Sequence, residues 1–481
     1  MKLNPGFLLI AVLAGGITLA PLARAIEEKK PAAQVKKPAA PPKPAGLGLK
    51  DGDRFIFIGD SITHQCLYTQ FVEDFFYTRY PQMRIQFRNA GVSGDRAADA
   101  LDRFDDDIAS FKPTVATVLL GMNDGTYKDF DRPTFDTYAK DMLKLMDRLD
   151  AINCKVILMS PTMFDHQAWD AMIQANPEKA KGRDVTNYNA VLAFYGKWAQ
   201  ETARKRGYQF VDMYGPLNTF TVEERKTDPQ FTLIPDAIHP GIDGQLVMAY
   251  SILKQVGEGG GILGTGVRLV DGKWQSSAPA LVTDVSGEPG TKVSYTVKTK
   301  ALPWVVSEDA PIGARFTHAG HTLGQESHIV VGLKSGRYDL VINGQNVGVF
   351  DERMLAVHAE IEDDPDSPTH QQAKKVFELN KKRNDEAIHP LRDLYSQRKG
   401  RLRAAKAKGD MKEFDAWLPE FHAKEAELMK KAEEIENEIY KANQPPVLKV
   451  EVKPAPPPPP PVRKPAPAKA GSKAPAAAGA K

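Results

Sequence analysis

The segment Arg54–Thr63, RFIFIGDSIT, decides how this chain is read. Phe55, Ile56, Phe57 and Ile58 are apolar in succession. That is the pattern of a parallel-sheet strand buried on both faces, not the alternation of a half-solvated one. Gly59 ends the run, and Asp60 and Ser61 follow before a helix-periodic stretch that opens near Cys66. A serine so placed lies at the carboxyl end of a first parallel strand, where open α/β sheets take their ligands. It also lies beside the free N–H groups of a helix start. Gly-Asp-Ser is common turn chemistry as well, so the meaning of Ser61 depends on what the rest of the chain brings to it.

Outward from this strand, Lys50 to Gly257 alternates strand and helix patterns. Helices are expected over Leu67–Tyr80, Phe135–Leu149, Asn187–Lys205 and Gly244–Val256, and further strands over Arg84–Arg88, Thr114–Leu120, Lys155–Met159 and Gln209–Asp212. Five strands with intervening helices predict a doubly wound parallel sheet. Beyond Gly264 short strands alternate with turn signals such as Asp271-Gly272, Pro289-Gly290 and Asn343-Gly344, which predicts a small antiparallel β unit. From about Pro368 to Ala442 the composition turns to Lys, Glu, Ala and Leu. It predicts two long helices broken near Gly409-Asp410, with Leu428, Ile435 and Ile439 facing inward and a solvated charged face outside.

With 481 residues the chain is too long for one core, and its net charge of +3 is small for that length. No concentrated basic face suits nucleic acid. Lys2, the apolar run Phe7–Leu19 and Ala23-Arg24-Ala25 have the form of an export signal, which places the protein in the periplasm or outside the cell. The expected organisation is an export signal over 1–25, a Pro/Ala/Lys linker over 26–49, a sheet domain over 50–262, a β-rich accessory region over 263–355, a helical region over 356–444 and a Pro/Ala/Lys-rich disordered tail over 445–481. The basic ends are solvated tails or contacts for an anionic envelope polymer. Cys66 and Cys154 are the only cysteines and make no disulfide framework; a single pair and two buried thiols are both open. His318 and His321 form a lone His-x-x-His without further ligands, so no metal is expected.

Three more stretches fall at predicted strand ends: Asn89–Asp95 (NAGVSGD), Gly121–Asp124 (GMND) and Asp236–Pro240 (DAIHP). Ester hydrolysis by a serine needs a base for its hydroxyl proton, an acceptor that holds the base in one tautomer, and fixed donors for the oxyanion. Asp236 and His239 supply acceptor and base from one loop. The backbone N–H groups of Ser61 and Gly94 and the Asn123 amide are the candidate donors. Asp60 and Asp124 are read as structural acids that bond nearby backbone N–H groups.

GDSIT, NAGVSGD, GMND and DAIHP, in that order and on those elements, resemble the four signature blocks of the SGNH (GDSL-type) hydrolases. The match runs from about Asp53 to Val256, and the region beyond Gly264 more loosely resembles the accessory β region of some large exported bacterial members. The resemblance implies a flavodoxin-like five-stranded parallel sheet and a cofactor-free serine esterase working through an acyl-enzyme. Ser61, Asp236 and His239 match the triad; Ser61, Gly94 and Asn123 match the oxyanion hole. The implied substrate is a small acyl ester, with O-acetyl groups on extracellular polysaccharide leading. A lipase or acyltransferase with the same residues, or a non-catalytic glycan-binding or anchoring protein, are the rival expectations.

Overall fold

Phe55, Ile56, Phe57 and Ile58 are fully buried, as a central parallel strand requires. A computed structural model describes residues 46–457. The expected export signal, residues 26–45 of the linker and residues 458–481 of the tail therefore lie outside the described residues. Strands β1 (Arg54–Gly59), β2 (Gln86–Gly91), β3 (Val115–Leu119), β4 (Lys155–Met159) and β5 (Gln209–Val211) form one sheet in the order β2-β1-β3-β4-β5. Every pairing in it is parallel. The order reverses at β1, whose two neighbours are β2 and β3. This switch point brings the chain after Gly59, after Gly91 and after Leu119 to one edge. Gly91 is required there: a Cβ on it would stand 2.3 Å from the backbone nitrogen of His64.

The helix Leu67–Arg79 differs from the amphipathic helix the sequence suggests, because eleven of its thirteen residues are buried, Glu73 and Asp74 included. Its polar side faces two later helices, not water. Arg383, at the end of the helix Pro368–Arg383, lies 3.3 Å from Glu73, and Asn380 donates to Asp74 at 2.9 Å. Glu436, on the helix Lys412–Ala442, accepts from the Tyr77 hydroxyl at 2.7 Å. Burial raises the Glu73 carboxyl to about 7 even beside Arg383.

The region expected as a small antiparallel unit is two sheets around one core. Strands β6 (Leu263–Val270), β7 (Lys273–Ser276), β10 (Glu326–Val331) and β13 (Ala359–Glu360) make one, with β6 and β10 parallel. Strands β8 (Val282–Ser286), β9 (Val293–Lys298), β11 (Arg337–Ile342), β12 (Gln345–Asp351) and β14 (Val447–Pro454) make the other, in the order β12-β11-β14-β9-β8. Val267, Tyr295, Leu340 and Val450 from both sheets share the core. Asp271-Gly272 and Asn343-Gly344 make the tight turns that the sequence signals, all four residues at positive φ.

Two expected boundaries and one expected helix count are corrected. Residues 445–457 are not tail: β14 sits between β9 and β11, because Leu448, Val450 and Val452 alternate with Lys449, Glu451 and Lys453 and fill the core. The end of the expected linker is packed as well, with Leu47 buried and its N–H on Glu258 at 2.9 Å. The helical region holds three long helices, Pro368–Arg383, His389–Lys408 and Lys412–Ala442, the last two parted at Gly409 (φ +69°). Leu428, Ile435 and Ile439 are buried. Cys66 and Cys154 are both free and buried, and burial pushes the Cys154 thiol up to about 12.

The sheet domain at 50–262 does not close its own core. Leu302, Trp304, Leu323, Ala373, Val376 and Ile439 belong to the same continuous core as Phe55 and Phe57. The Trp304 indole N–H bonds the Phe71 carbonyl at 2.9 Å, and its ring meets that of Phe75 edge-on. A fragment of residues 50–264 would expose the outer face of Leu67–Arg79 as an apolar patch of the kind that drives association. We expect it to aggregate on size-exclusion chromatography and lack a cooperative melt, whereas the full chain gives one. A monomeric fragment that melts cooperatively would overturn the shared core.

Candidate active site

Ser61 opens a one-turn helix, Ser61–His64, whose N-cap is Asp60; the Asp60 carboxylate accepts from the Ile62 N–H at 2.9 Å. The Ser61 hydroxyl lies 2.8 Å from His239 Nε2, and His239 Nδ1 lies 2.6 Å from Asp236 Oδ2. A carboxylate only accepts, so Nδ1 carries the proton and Nε2 is left to receive that of Ser61. The turn that joins these two residues is strained in their favour. Ala237 takes φ +71°, and the other Asp236 oxygen accepts the backbone N–H groups of Ile238 and His239 at 3.0 and 2.7 Å. Burial alone would raise the Asp236 carboxyl; its hydrogen bonds win and take it to about 2. The bond to Asp236 raises the His239 imidazole, against burial.

Gly94 adopts φ +71°, which an L side chain rarely does. Neither its N–H nor that of Ser61 meets an acceptor among the described residues. The Asn123 amide nitrogen donates to the Asp95 carbonyl at 3.0 Å and lies 3.4 Å from Asp60 Oδ2, a long and easily redirected contact. Its oxygen accepts from the Tyr127 hydroxyl at 3.0 Å, which fixes which end of the amide faces Asp95. Thr126 and Tyr127 reach this point through two consecutive left-handed residues. The structure thus brings all five sequence-predicted residues, Ser61, Gly94, Asn123, Asp236 and His239, to one edge of the sheet.

Asp60 and Asp124 are buried and bond backbone N–H groups, Ile62 and Ala97 respectively, as structural acids do. Burial raises each to about 7. Ile62 and Met122 are buried in the core of the sheet domain. From the segment after β4, the Arg183 guanidinium lies over the Tyr127 ring at 4.7 Å and the Trp169 ring at 5.6 Å. Far from this edge, His321, Glu360 and Glu362 place one ligand atom each within 4.8 Å of one another. There the Glu360 oxygens already receive His321, His358 and Gln325, and His318 takes no part in the group.

Sequence reasoning missed Tyr127, His64, Asp393 and Lys399. Tyr127 stands four residues after Asn123, and an aromatic hydroxyl at that offset is a readable signal. Lys399 is one of many cations in a charged helix and carries no local signal. Its ammonium bonds the Ser93 carbonyl and lies 2.9 Å from Asp95 Oδ1.

Residues 57–247 match the model of the GDSL-like lipase/acylhydrolase family. An acetylxylan esterase of Geobacillus stearothermophilus is 24% identical over 227 residues, 44% of this chain and 97% of that one. Among solved structures, a gut microbial diltiazem-metabolizing enzyme is similar with a TM-score of 0.71 at 24% identity, covering 85% of this chain and 98% of its own. That likeness is one of fold, and at this coverage it extends past the sheet domain into the accessory regions. A catalytic mutant of the Geobacillus stearothermophilus acetylxylan esterase matches 44% of this chain and 96% of its own at 22% identity, with a TM-score of 0.35. Fold and family together define a serine hydrolase that acts on ester bonds. The segment 57–247 is a GDSL-like, or SGNH-type, hydrolase domain.

Only neutral His239 can take a proton, and its pKa is raised above 6.5 by Asp236. The acid limb of kcat/KM for a soluble ester, which reports the free enzyme, is therefore expected above pH 6.5. Asp236→Asn should shift it downward as well as slow turnover. A wild-type limb at or below pH 6.5, or one that Asp236→Asn leaves in place, would show that this pair does not control the proton transfer.

Proposed function

We propose that this enzyme removes small acyl groups, acetyl first, from carbohydrate esters through an acyl-enzyme on Ser61. The observation that carries the reading is the unbroken hydrogen-bond chain from Asp236 through His239 to Ser61, beside two unpaired backbone N–H groups. His239 Nε2 takes the Ser61 proton as Oγ bonds the ester carbon. The negative oxygen is received by the N–H groups of Ser61 and Gly94 and by the Asn123 amide. His239 then returns the proton to the sugar oxygen as the carbon–oxygen bond breaks and the alcohol leaves. A water attacks the acyl-serine by the same route, giving its proton to His239, which passes it to Ser61 as the acid departs. Removal of one oxyanion donor, as in Asn123→Ala, costs about 2.7–4 kcal/mol of transition-state stabilisation.

Two features support a short acyl group on carbohydrate. Ile62 and Met122, which stand next to the reacting serine and the amide, pack into the domain core and offer almost no exposed apolar surface to a long acyl chain. The similarity to an acetylxylan esterase supplies the carbohydrate acetyl ester. In this reading the enzyme is exported by residues 1–25, and its basic tails are solvated or contact anionic envelope polymer.

The test is a series of chromogenic esters with acetylated xylo-oligosaccharides followed by product analysis. Acetyl esters should lead, butyryl esters should be slower and octanoyl esters very slow. Ser61→Ala should lose turnover on the order of a millionfold while keeping its fold, as nucleophile removal does in other serine hydrolases. A Ser61→Ala rate within about tenfold of wild type, only about 1.4 kcal/mol, rejects the nucleophile. Octanoyl as the best substrate rejects the short-acyl reading in favour of a lipase.

A further inference from the structure

The loop Ser93-Gly94-Asp95 carries a proposed oxyanion donor on a glycine, the residue least able to hold its own conformation. Besides Arg103, which bonds Asp95 at 2.9 Å, part of what holds it comes from the far end of the chain. On the helix His389–Lys408, the Lys399 ammonium bonds the carbonyl of Ser93 and the carboxylate of Asp95, the residues on either side of Gly94. A Cβ on Gly94 would stand 3.7 Å from that nitrogen. Lys399 is mostly buried, its side chain 15% exposed, and Asp95 is fully so.

The same helix reaches the loop a second time. Asp393 lies 3.2 Å from His64 Nε2, and His64 Nδ1 lies 3.3 Å from both the N–H and the hydroxyl of Ser93. With Nδ1 accepting from the Ser93 N–H, the ring proton must sit on Nε2 and donate to Asp393. His64 is buried, and burial lowers its pKa to about 4 in spite of Asp393, so the ring stays neutral. One helix therefore grips the residue before Gly94 at its N–H and its carbonyl, and the residue after it at its carboxylate.

We propose that the helix His389–Lys408 is the positioning element of the oxyanion loop, acting through Lys399 directly and through Asp393 by way of His64. The helical region is thus part of the esterase and not an appendage. Lys399 and Asp393 are positioning residues: they touch the loop, not the ester. This rests on the proposed role of Gly94.

The test uses the full chain and four variants. Lys399→Met removes the ammonium and keeps the stem, and Lys399→Arg restores a cation. Asp393→Ala frees His64. Lys406→Met breaks an exposed ion pair of the same helix, Lys406–Asp102 at 2.9 Å, and serves as the control. Rates on an acetyl ester are paired with the rate at which an aryl phosphate triester labels Ser61, because its phosphoryl oxygen must enter the same donors. Lys399→Met should lower kcat and the labelling rate by about 10-fold or more, part of the 10²–10³-fold that outright loss of a donor costs, with KM within about twofold. Lys399→Arg should recover most of both rates, Asp393→Ala should show a smaller loss of the same kind, and Lys406→Met should match wild type. Should Lys399→Met fail to fold, Asp393→Ala decides on its own, its side chain being 67% exposed. Wild-type rates in the folded Lys399→Met or the deciding Asp393→Ala overturn the inference, as does an equal loss in Lys406→Met. A wild-type enzyme that the triester does not label at Ser61 fails the esterase reading itself; one labelled as fast as Lys399→Met fails only the positioning role.

Discussion

The edge of the sheet that carries the candidate site depends on a buried ion cluster centred on Asp107. That carboxylate is fully buried and meets Arg392 at 2.8 and 3.1 Å and Arg103 at 2.5 Å. Arg103 bonds Asp95 at 2.9 Å and the Ala90 carbonyl at 2.7 Å, and points toward the Gly59 carbonyl at 3.4 Å. One guanidinium thus ties the end of β1, just before Ser61, to both sides of Gly94. Burial pushes Asp107 up, yet Arg392, Arg103 and Arg88 hold it below the ordinary carboxylate range. Desolvating these charges costs several kcal/mol per ion, and a partner removed alone leaves a penalty of about 3–5 kcal/mol. Such a cluster adds little stability over apolar packing; what it fixes is geometry.

Arg392 comes from the helix His389–Lys408, so the cluster joins the sheet domain to the helical region. That helix is itself anchored at both ends. Before it, Pro368–Arg383 packs on Leu67–Arg79 through Glu73 and Asp74. After it, Lys412–Ala442 leads into β14, a central strand of the accessory sheet. The β region and the sheet domain hold the helical segment between them. Its inner face then presents Asp393 and Lys399 to the loop at Gly94.

This explains which parts of the protein were legible in its sequence. The apolar run 55–58, the four motif blocks and the Asp-Gly and Asn-Gly turns are local, and each states its chemistry within a few residues. The pairings that hold the site join residues about 300 positions apart, Lys399 with Asp95 or Arg392 with Asp107, and a lysine in a charged helix looks the same whether it is solvated or buried. Glu73 and Asp74 carry no local sign of their burial either, being acids on a helix face that water never reaches. The strand at Val447–Pro454 was different. Its apolar–polar alternation is local, but it runs directly into a proline-rich stretch whose composition is that of a tail.

The site also needs this support because its own backbone is strained. Thr126, Tyr127 and Ala237 are all non-glycine residues at φ between +55° and +71°, each costing on the order of 1–3 kcal/mol and persisting only where the surroundings over-determine them. Ala237 sits between Asp236 and His239, and Tyr127 orients the Asn123 amide. Two of the three elements facing the reacting serine are therefore held in conformations the chain would leave if released, and the third, Gly94, has little preference of its own. An isolated sheet domain would have to bear that strain on loops alone. Here the core that continues into Trp304 and the later helices makes the carboxyl edge rigid, and the ion cluster beneath Gly59, Ala90 and Asp95 sets the spacing of the strands from which those loops spring.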